Sequence, residues 1–157
     1  MCKLLLMKRE LKDKFKIYID RLREDHPETI ELTLDPSFLE VDEDGLTFLH
    51  PIQVQGSAYT TDNYLIIQLN IESMAHLPCS ICNADVSLPI RLGNFYLTLP
   101  FDQIKGAVYD FRTSLREAIL LEIPAFTECG GSCPERKNID KYFSKPSATT
   151  DAQEHFP

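Results

Sequence analysis

The feature that most constrains the fold is a long stretch, from Leu46 to Arg91, in which apolar and polar side chains alternate. Alternation places successive side chains on opposite faces of a β-strand, so the pattern predicts strands with one buried and one wet face. Short turn signals, such as Thr-Asp-Asn at 61–63, separate the strands. Because short connections join antiparallel neighbours, we predict an antiparallel meander. The same pattern allows the sheet to close into a barrel-like form.

Shorter alternating segments flank this stretch. KFKIYIDRL at 14–22, TIELTL at 29–34 and NFYLTLP at 94–100 are each predicted to form a strand. Pro51 and Pro89 fit such strands only at a sheet edge or a bulge, since proline has no N–H for the ladder. The acidic DEDG at 42–45 is predicted to form a turn.

Helical periodicity is clearest in the segment 111–123, whereas Leu11 to Arg23 also allows an amphipathic helix but favours the strand. Residues that share one face of this predicted helix are Phe111, Leu115, Ala118 and Ile119. Asp110 is placed to cap its start, and Pro124 stops it. Asp35 followed by Pro36 is a second helix-start signal, for about one turn. We therefore predict an α+β fold, with one main C-terminal helix packed on the antiparallel sheet.

The length of 157 residues favours a single domain, which we place at 1–143. Residues 1–13 are predicted to form a flexible basic arm, and 144–157 a disordered tail without apolar periodicity. The chain opens with a short apolar run, Leu4 to Met7, which is too short for a signal peptide. No later stretch is long enough to span a bilayer. These features predict a cytoplasmic protein with no membrane partner.

Charge is distributed unevenly along the chain. Residues 1–24 hold eight Lys or Arg against four acids, whereas residues 25–90 hold eleven acids and no Lys or Arg. Because RNA affinity needs cations that displace phosphate counterions, a direct contact must use the two ends. The candidate contacts to RNA or a partner are Lys8, Arg9, Lys12, Arg136, Lys137 and Lys141. No phosphate-binding loop or nucleophile elbow is present, so we predict that the protein is not an enzyme.

Four of the five cysteines form two close pairs, Cys79 with Cys82 and Cys129 with Cys133. Zinc prefers four soft ligands in a tetrahedron, so two turns that each offer two thiolates predict a zinc site if the fold brings them together. Gly130 and Gly131 allow the backbone angles that direct both sulfurs of the second pair one way. Three alternatives remain: buried thiols in ordinary turns, a redox pair at 79–82, and His76 as a substitute ligand.

Three motifs carry a resemblance to a known family: PCSIC at 78–82, REAILLEIP at 116–124 and CGGSCPERKNI at 129–139. Their order, after a sheet-forming N-terminal half, resembles the bacterial and plastid family of large ribosomal RNA subunit accumulation proteins. The layout is similar over residues 14–143. The helix followed by Cys-x-Gly-x-Cys-Pro is the specific part of the likeness.

The resemblance implies a role in the synthesis, processing or stability of large-subunit (23S) ribosomal RNA, without catalysis. The implied partner is that RNA or a ribosome assembly intermediate. A second interpretation is an acidic module that holds a basic partner such as a ribosomal protein and acts on RNA indirectly. Many family members carry further cysteines where this chain has Ala125 and Arg136. The two pairs are therefore the only route to a four-thiolate site here.

Overall fold

The computed structural model describes residues 13–22 and 26–143. The predicted basic arm, apart from Asp13, and the predicted tail lie outside the described residues. The strands are β1 Lys16–Tyr18, β2 Glu28–Leu34, β3 Ile52–Thr61, β4 Tyr64–Pro78, β5 Asp85–Pro100 and β6 Val108–Asp110. The α-helices are α1 Arg112–Leu121 and α2 Arg136–Phe143. Neither helix of this described part is long and apolar enough to cross a lipid bilayer.

Four strands form one antiparallel sheet in the order β2-β3-β4-β5. Each strand lies beside the strand that precedes it in the chain, which is the predicted meander. β1 and β6 form a separate two-stranded antiparallel pair. The sheets and helices together confirm the α+β class. The larger sheet is open and does not close into a barrel, which decides against the barrel-like alternative.

The first strands differ in extent from those predicted. The segment 14–22 contains only the three residues of β1, followed by a 3₁₀ turn at Ile19–Arg21. β1 also pairs with β6 rather than with the meander. β3 begins at Ile52, directly after Pro51, and residues 46–51 lie outside the strands. Proline cannot donate to a ladder, so its position before the strand agrees with its chemistry.

β5 is one strand where the sequence predicted two. It continues unbroken through 93–94, and the ladder with β4 accommodates a register shift between Leu69 and Ile71. At this bulge the backbone N–H of Asn94 donates to Oδ1 of Asn70 at 3.0 Å. A bulge lets one strand carry an additional residue without ending the pairing. Pro89 lies in β5, an edge strand of the sheet, as predicted.

The core lies on one side of the four-stranded sheet. Buried side chains of the strands include Ile30, Leu34, Ile52, Val54, Ala58, Leu65, Ile67, Leu69, Ile71, Ala75 and Ile90. Phe15, Phe38 and Phe111 join this layer from three separate segments. The ring centroid of Phe15 lies 5.2 Å from that of Phe38 and 5.7 Å from that of Phe111. These aromatic contacts hold together segments that are distant in sequence. Each pair contributes about 0.5–1.5 kcal/mol to the free energy of unfolding, in addition to the effect of burial.

The opposite face of the sheet is polar but carries little charge. Its side chains on the two central strands include Gln53, Gln55, Ser57, Tyr59, Gln68 and Asn70. The acids on this face of β2–β4 are Glu31 and Glu72. Five of the eleven acids of the cation-free segment are in the loop between β2 and β3: Asp35, Glu40, Asp42, Glu43 and Asp44. This loop therefore holds the largest group of acids in the segment.

α1 presents the predicted face to the core. Phe111, Leu115, Ala118 and Ile119 are all buried. The N-cap residue is Phe111 rather than the predicted Asp110, and it makes no side-chain cap bond. Asp110, one residue earlier, accepts the Arg112 N–H at Oδ1 at 2.9 Å. The helix ends at Leu121, two residues before the predicted end.

The outer side of α1 is tethered to the loop after β2. Arg112 forms an ion pair with Glu40, with Nη2 and Oε1 2.8 Å apart. Nε of Arg116 donates to the Leu39 carbonyl at 2.6 Å. Leu39 ends a 3₁₀ turn at Pro36–Leu39. Asp35 caps this turn by accepting the Ser37 N–H at Oδ1, as the Asp-Pro signal predicted.

α2 was not predicted. Its sequence, RKNIDKYF, is dominated by polar residues, and its described side chains are exposed or half-buried. A helix of eight residues is marginally stable on its own, so it needs a contact with the rest of the protein. Its first residue, Arg136, makes that contact at the site described below.

Leu115→Ala or Ile119→Ala should lower the free energy of unfolding by about 2–5 kcal/mol, because each removes a buried side chain and leaves a cavity. Leu121→Ala is the matched control, since Leu121 lies on the same helix but is 82% exposed. Urea denaturation of the three variants measures the difference. A core variant as stable as the Leu121 variant would contradict the packing described here.

Candidate metal centre

The first cysteine pair lies in the turn that joins β4 to β5. The Cys79 N–H donates to the Ala84 carbonyl at 2.7 Å, and the Asn83 N–H donates to the Cys79 carbonyl at 2.9 Å. Asn83 has φ of 60°, a left-handed conformation that asparagine adopts more readily than most residues. The turn buries Cys79 and leaves Cys82 exposed at its tip.

The second pair lies on a turn that follows α1. A 3₁₀ turn at Cys129–Gly131 has Gly130 at φ 63° and Gly131 at φ 79°. A Cβ atom at either glycine would meet nothing within 4 Å, so backbone conformation rather than crowding favours glycine here. Cys133 follows and is buried.

Backbone contacts hold the two turns together. The Ser80 N–H donates to the Thr127 carbonyl at 2.7 Å, and the Thr127 N–H donates to Oγ of Ser80 at 3.1 Å. The Cys129 N–H also points at Sγ of Cys79, 3.4 Å away. The approach of the two turns is therefore fixed by hydrogen bonds as well as by any shared ligand.

The four sulfur atoms converge on one point. The Sγ atoms of Cys79, Cys82, Cys129 and Cys133 all lie within 4.8 Å of one another. Sγ of Cys82 is 3.7 Å from Sγ of Cys129. Four sulfurs at about 2.3 Å from one tetrahedral ion are separated by about 3.8 Å. The cysteines that the spacing identified are thus brought close enough together to hold one metal ion.

The surroundings of the cluster shift the pKa values of its cysteines in opposite directions. A hydrogen bond from the backbone N–H of Cys82 is the main cause that lowers the pKa of Cys79 to about 6, and the N–H groups of Cys129 and Ile81 add to it. A hydrogen bond with the Cys133 side chain is the main cause that raises the pKa of Cys129 to about 12. Burial raises the pKa of Cys133. The turn therefore stabilises one thiolate, at Cys79, whereas hydrogen bonding between the sulfurs and burial oppose ionisation of the second pair.

Glu128 supports the second turn and was not identified from the sequence. Its Oε2 accepts the Cys133 N–H at 2.8 Å and the Arg136 Nε–H at 3.1 Å. Nη2 of Arg136 bonds to the other carboxylate oxygen, which makes the pair bidentate. The signal available in the sequence was an acid directly before Cys129, eight residues ahead of Arg136. Such carboxylates orient ligand-bearing turns in metal sites.

The alternative ligand His76 takes part in a different set of contacts. Its Nδ1 lies 3.1 Å from Oγ of Ser87, and its ring stacks on that of His50 with centroids 5.7 Å apart. His76 is not among the converging ligand atoms. The residues after Cys82 lead into β5, not a helix, so turn N–H groups rather than a helix end acidify Cys79.

The candidate RNA contacts fall into two groups. Lys8, Arg9 and Lys12 lie outside the described residues. Arg136 is bound to Glu128, Lys137 is exposed on α2, and the Lys141 ammonium lies 5.0 Å from the centre of the Tyr142 ring. Arg136, Lys137 and Lys141 therefore follow the second cysteine pair closely in sequence. Arg136 also stabilises the cysteine cluster, because it bonds to Glu128, which accepts the Cys133 N–H.

Comparison of the chain with models of known protein families, curated proteins and solved structures finds no match.

Proposed function

We propose that the four cysteines bind one zinc ion and that this ion has a structural role. The observation that carries the proposal is the convergence of four Sγ atoms within 4.8 Å. Four thiolates in a closed tetrahedron match the structural class of zinc site, which keeps no open position for substrate. Tetrahedral sulfur ligation is also compatible with iron, but zinc provides the same geometry without redox chemistry.

The ion would link the β4–β5 turn to the segment after α1. Cys82 and Cys129 are 47 residues apart in sequence, so a shared metal restrains a long loop of the unfolded chain. Binding energy at such a site is folding energy, because the unfolded chain does not hold the four ligands in place.

Cys82→Ser should release the zinc and lower the melting temperature of the purified reduced protein. Cys82 is exposed, so the substitution removes a ligand without opening a core cavity. Cys2→Ser is the matched control, since it makes the same chemical change at the cysteine outside the two pairs. Metal analysis and thermal unfolding measure both variants. Wild-type protein well below one zinc per chain, or equal metal content in both variants, would contradict the proposal.

We further propose that the protein supports accumulation of large-subunit ribosomal RNA by binding rather than by catalysis. The resemblance over PCSIC, REAILLEIP and CGGSCPERKNI supports this role. The first and third of these motifs lie together, since Sγ of Cys82 is 3.7 Å from Sγ of Cys129 and the Cys129 N–H points at Sγ of Cys79. The second motif begins within α1, which precedes the third in the chain. The residues that carry the resemblance therefore lie in one region of the structure, which comprises the two cysteine turns and α1.

A second candidate is an acidic module that binds a basic protein and affects ribosomal RNA indirectly. The observation that favours it is the acidic loop between β2 and β3. Asp42, Glu43 and Asp44 are exposed there, and none forms an ion pair with a Lys or Arg in the described part of the chain.

The two candidates differ in which charges they need. If the protein binds ribosomal RNA directly, Lys8→Glu with Arg9→Glu should weaken binding. The slope of log affinity against log salt should also become shallower, by roughly 0.7–0.9 for each phosphate that the variant no longer neutralises. Arg91→Glu with Lys105→Glu is the control with the same change in net charge. Filter binding over a salt series measures both, and equal effects in the two variants would contradict a direct contact through the N-terminal cations.

The cellular test uses a strain that lacks the gene, complemented by each form. Large-subunit RNA should fall in the deletion and recover with the wild-type chain. Normal RNA levels and subunit profiles in the deletion would count against both candidates.

A further inference from the structure

Two cavities meet along the loop between β2 and β3. One has a volume of about 360 Å³ and extends to the end of α1, and the other has a volume of about 550 Å³ and extends toward Leu49. Val41 and Leu46 line both cavities, so the two lie side by side. We call this surface, centred on Val41 and Leu46, the acidic groove.

The groove combines an apolar floor with a negative rim. Its remaining apolar lining includes Phe48, Leu49, Leu120, Ile123, Pro124 and Ala125. Asp42 and Glu43 line the smaller cavity and are exposed, with Asp44 next to them in sequence. Arg116 is the cation among the lining residues of the described chain, and its Nε is bonded to the Leu39 carbonyl. Within the described residues, Asp42, Glu43 and Asp44 therefore form no ion pair with a Lys or Arg, and the smaller cavity beside them has a largely apolar lining.

Two other occupants fit these features less well. A metal ion would need converging ligands, and the loop carboxylates do not form a ligand group in the described residues. Nucleic acid would bring phosphates to a rim of like charge, which repels it. A peptide with lysines or arginines on either side of an apolar residue matches both features of the groove. Its apolar side chain would fill the cavity, and its cations would lie beside the acidic residues.

We propose that the acidic groove binds a lysine- or arginine-rich peptide segment of a protein partner, with an apolar side chain placed in the smaller cavity, which Val41 and Leu46 line. This inference rests on the second proposed function and develops it by assigning it a surface. It does not depend on the zinc ion, since the residues of the groove are distinct from the four cysteines.

The test measures binding of a short fluorescein-labelled peptide, in which lysines flank one leucine, by fluorescence anisotropy at low salt. Asp42→Asn, Glu43→Gln and Asp44→Asn combined should weaken binding about tenfold, because three rim charges are removed. Glu28→Gln, Glu31→Gln and Glu72→Gln combined remove the same charge from exposed strand positions. This control should change affinity by about twofold or less.

A third variant tests the apolar part of the groove. Ala125 is exposed and lines the smaller cavity, so Ala125→Phe should fill that cavity and weaken binding without disturbing the core. A peptide with serine in place of leucine should bind more weakly to the wild-type chain.

Three results would overturn the proposal. The first is that the lysine peptide does not bind. The second is that the two triple variants lose peptide affinity to the same extent, which would mean that the peptide is attracted only by the net charge of the protein. The third is unchanged affinity in Ala125→Phe together with no preference for leucine. Zinc content and ribosomal RNA levels are measured separately, so failure here is distinguishable from failure of the zinc or RNA proposals.

Discussion

The pairing of β4 with β5 positions both the middle of the core and the turn that carries the first cysteine pair. β4 is a central strand, paired with β3 on one side and with β5 along nearly its full length on the other. Its inward side chains, including Leu65, Ile67, Leu69 and Ile71, are buried and form the middle of the core. The same pairing ends in the turn that carries Cys79 and Cys82. The sheet ladder therefore sets both the position of the core and the position of the first half of the cysteine cluster.

The second half of the cluster is placed by α1. Leu115 and Ile119 are buried in the core, so the chain that leaves α1 starts from a fixed point. From there Thr127 pairs with Ser80 and the glycine turn brings Cys129 and Cys133 to the first pair. Glu128 then couples Cys133 to Arg136, the first residue of α2. A bound ion would add its ligand bonds to an arrangement that backbone hydrogen bonds already favour.

Local patterns predicted the parts of the fold whose causes are local. The face of α1 followed from periodicity at 111–123, and the meander followed from alternation with short turns. The pairing of β1 with β6 depends on residues about ninety positions apart, such as Ile17 and Tyr109, so no local pattern could indicate it. α2 was missed because its stabilising contact, Arg136 with Glu128, is made outside the helix. The unbroken β5 was missed because its bulge depends on Asn70 in the partner strand. The same distinction applies to the candidate sites. Cysteine spacing identified all four members of the cluster, but their convergence depends on the β4–β5 turn meeting the chain after α1.

The proposed zinc ion would join the two turns through four thiolates. X-ray absorption at the zinc edge of the purified reduced protein should then show four sulfur neighbours at about 2.3 Å. Nitrogen or oxygen atoms in place of one or more of these sulfurs, or the absence of bound zinc, would contradict the proposed four-thiolate site.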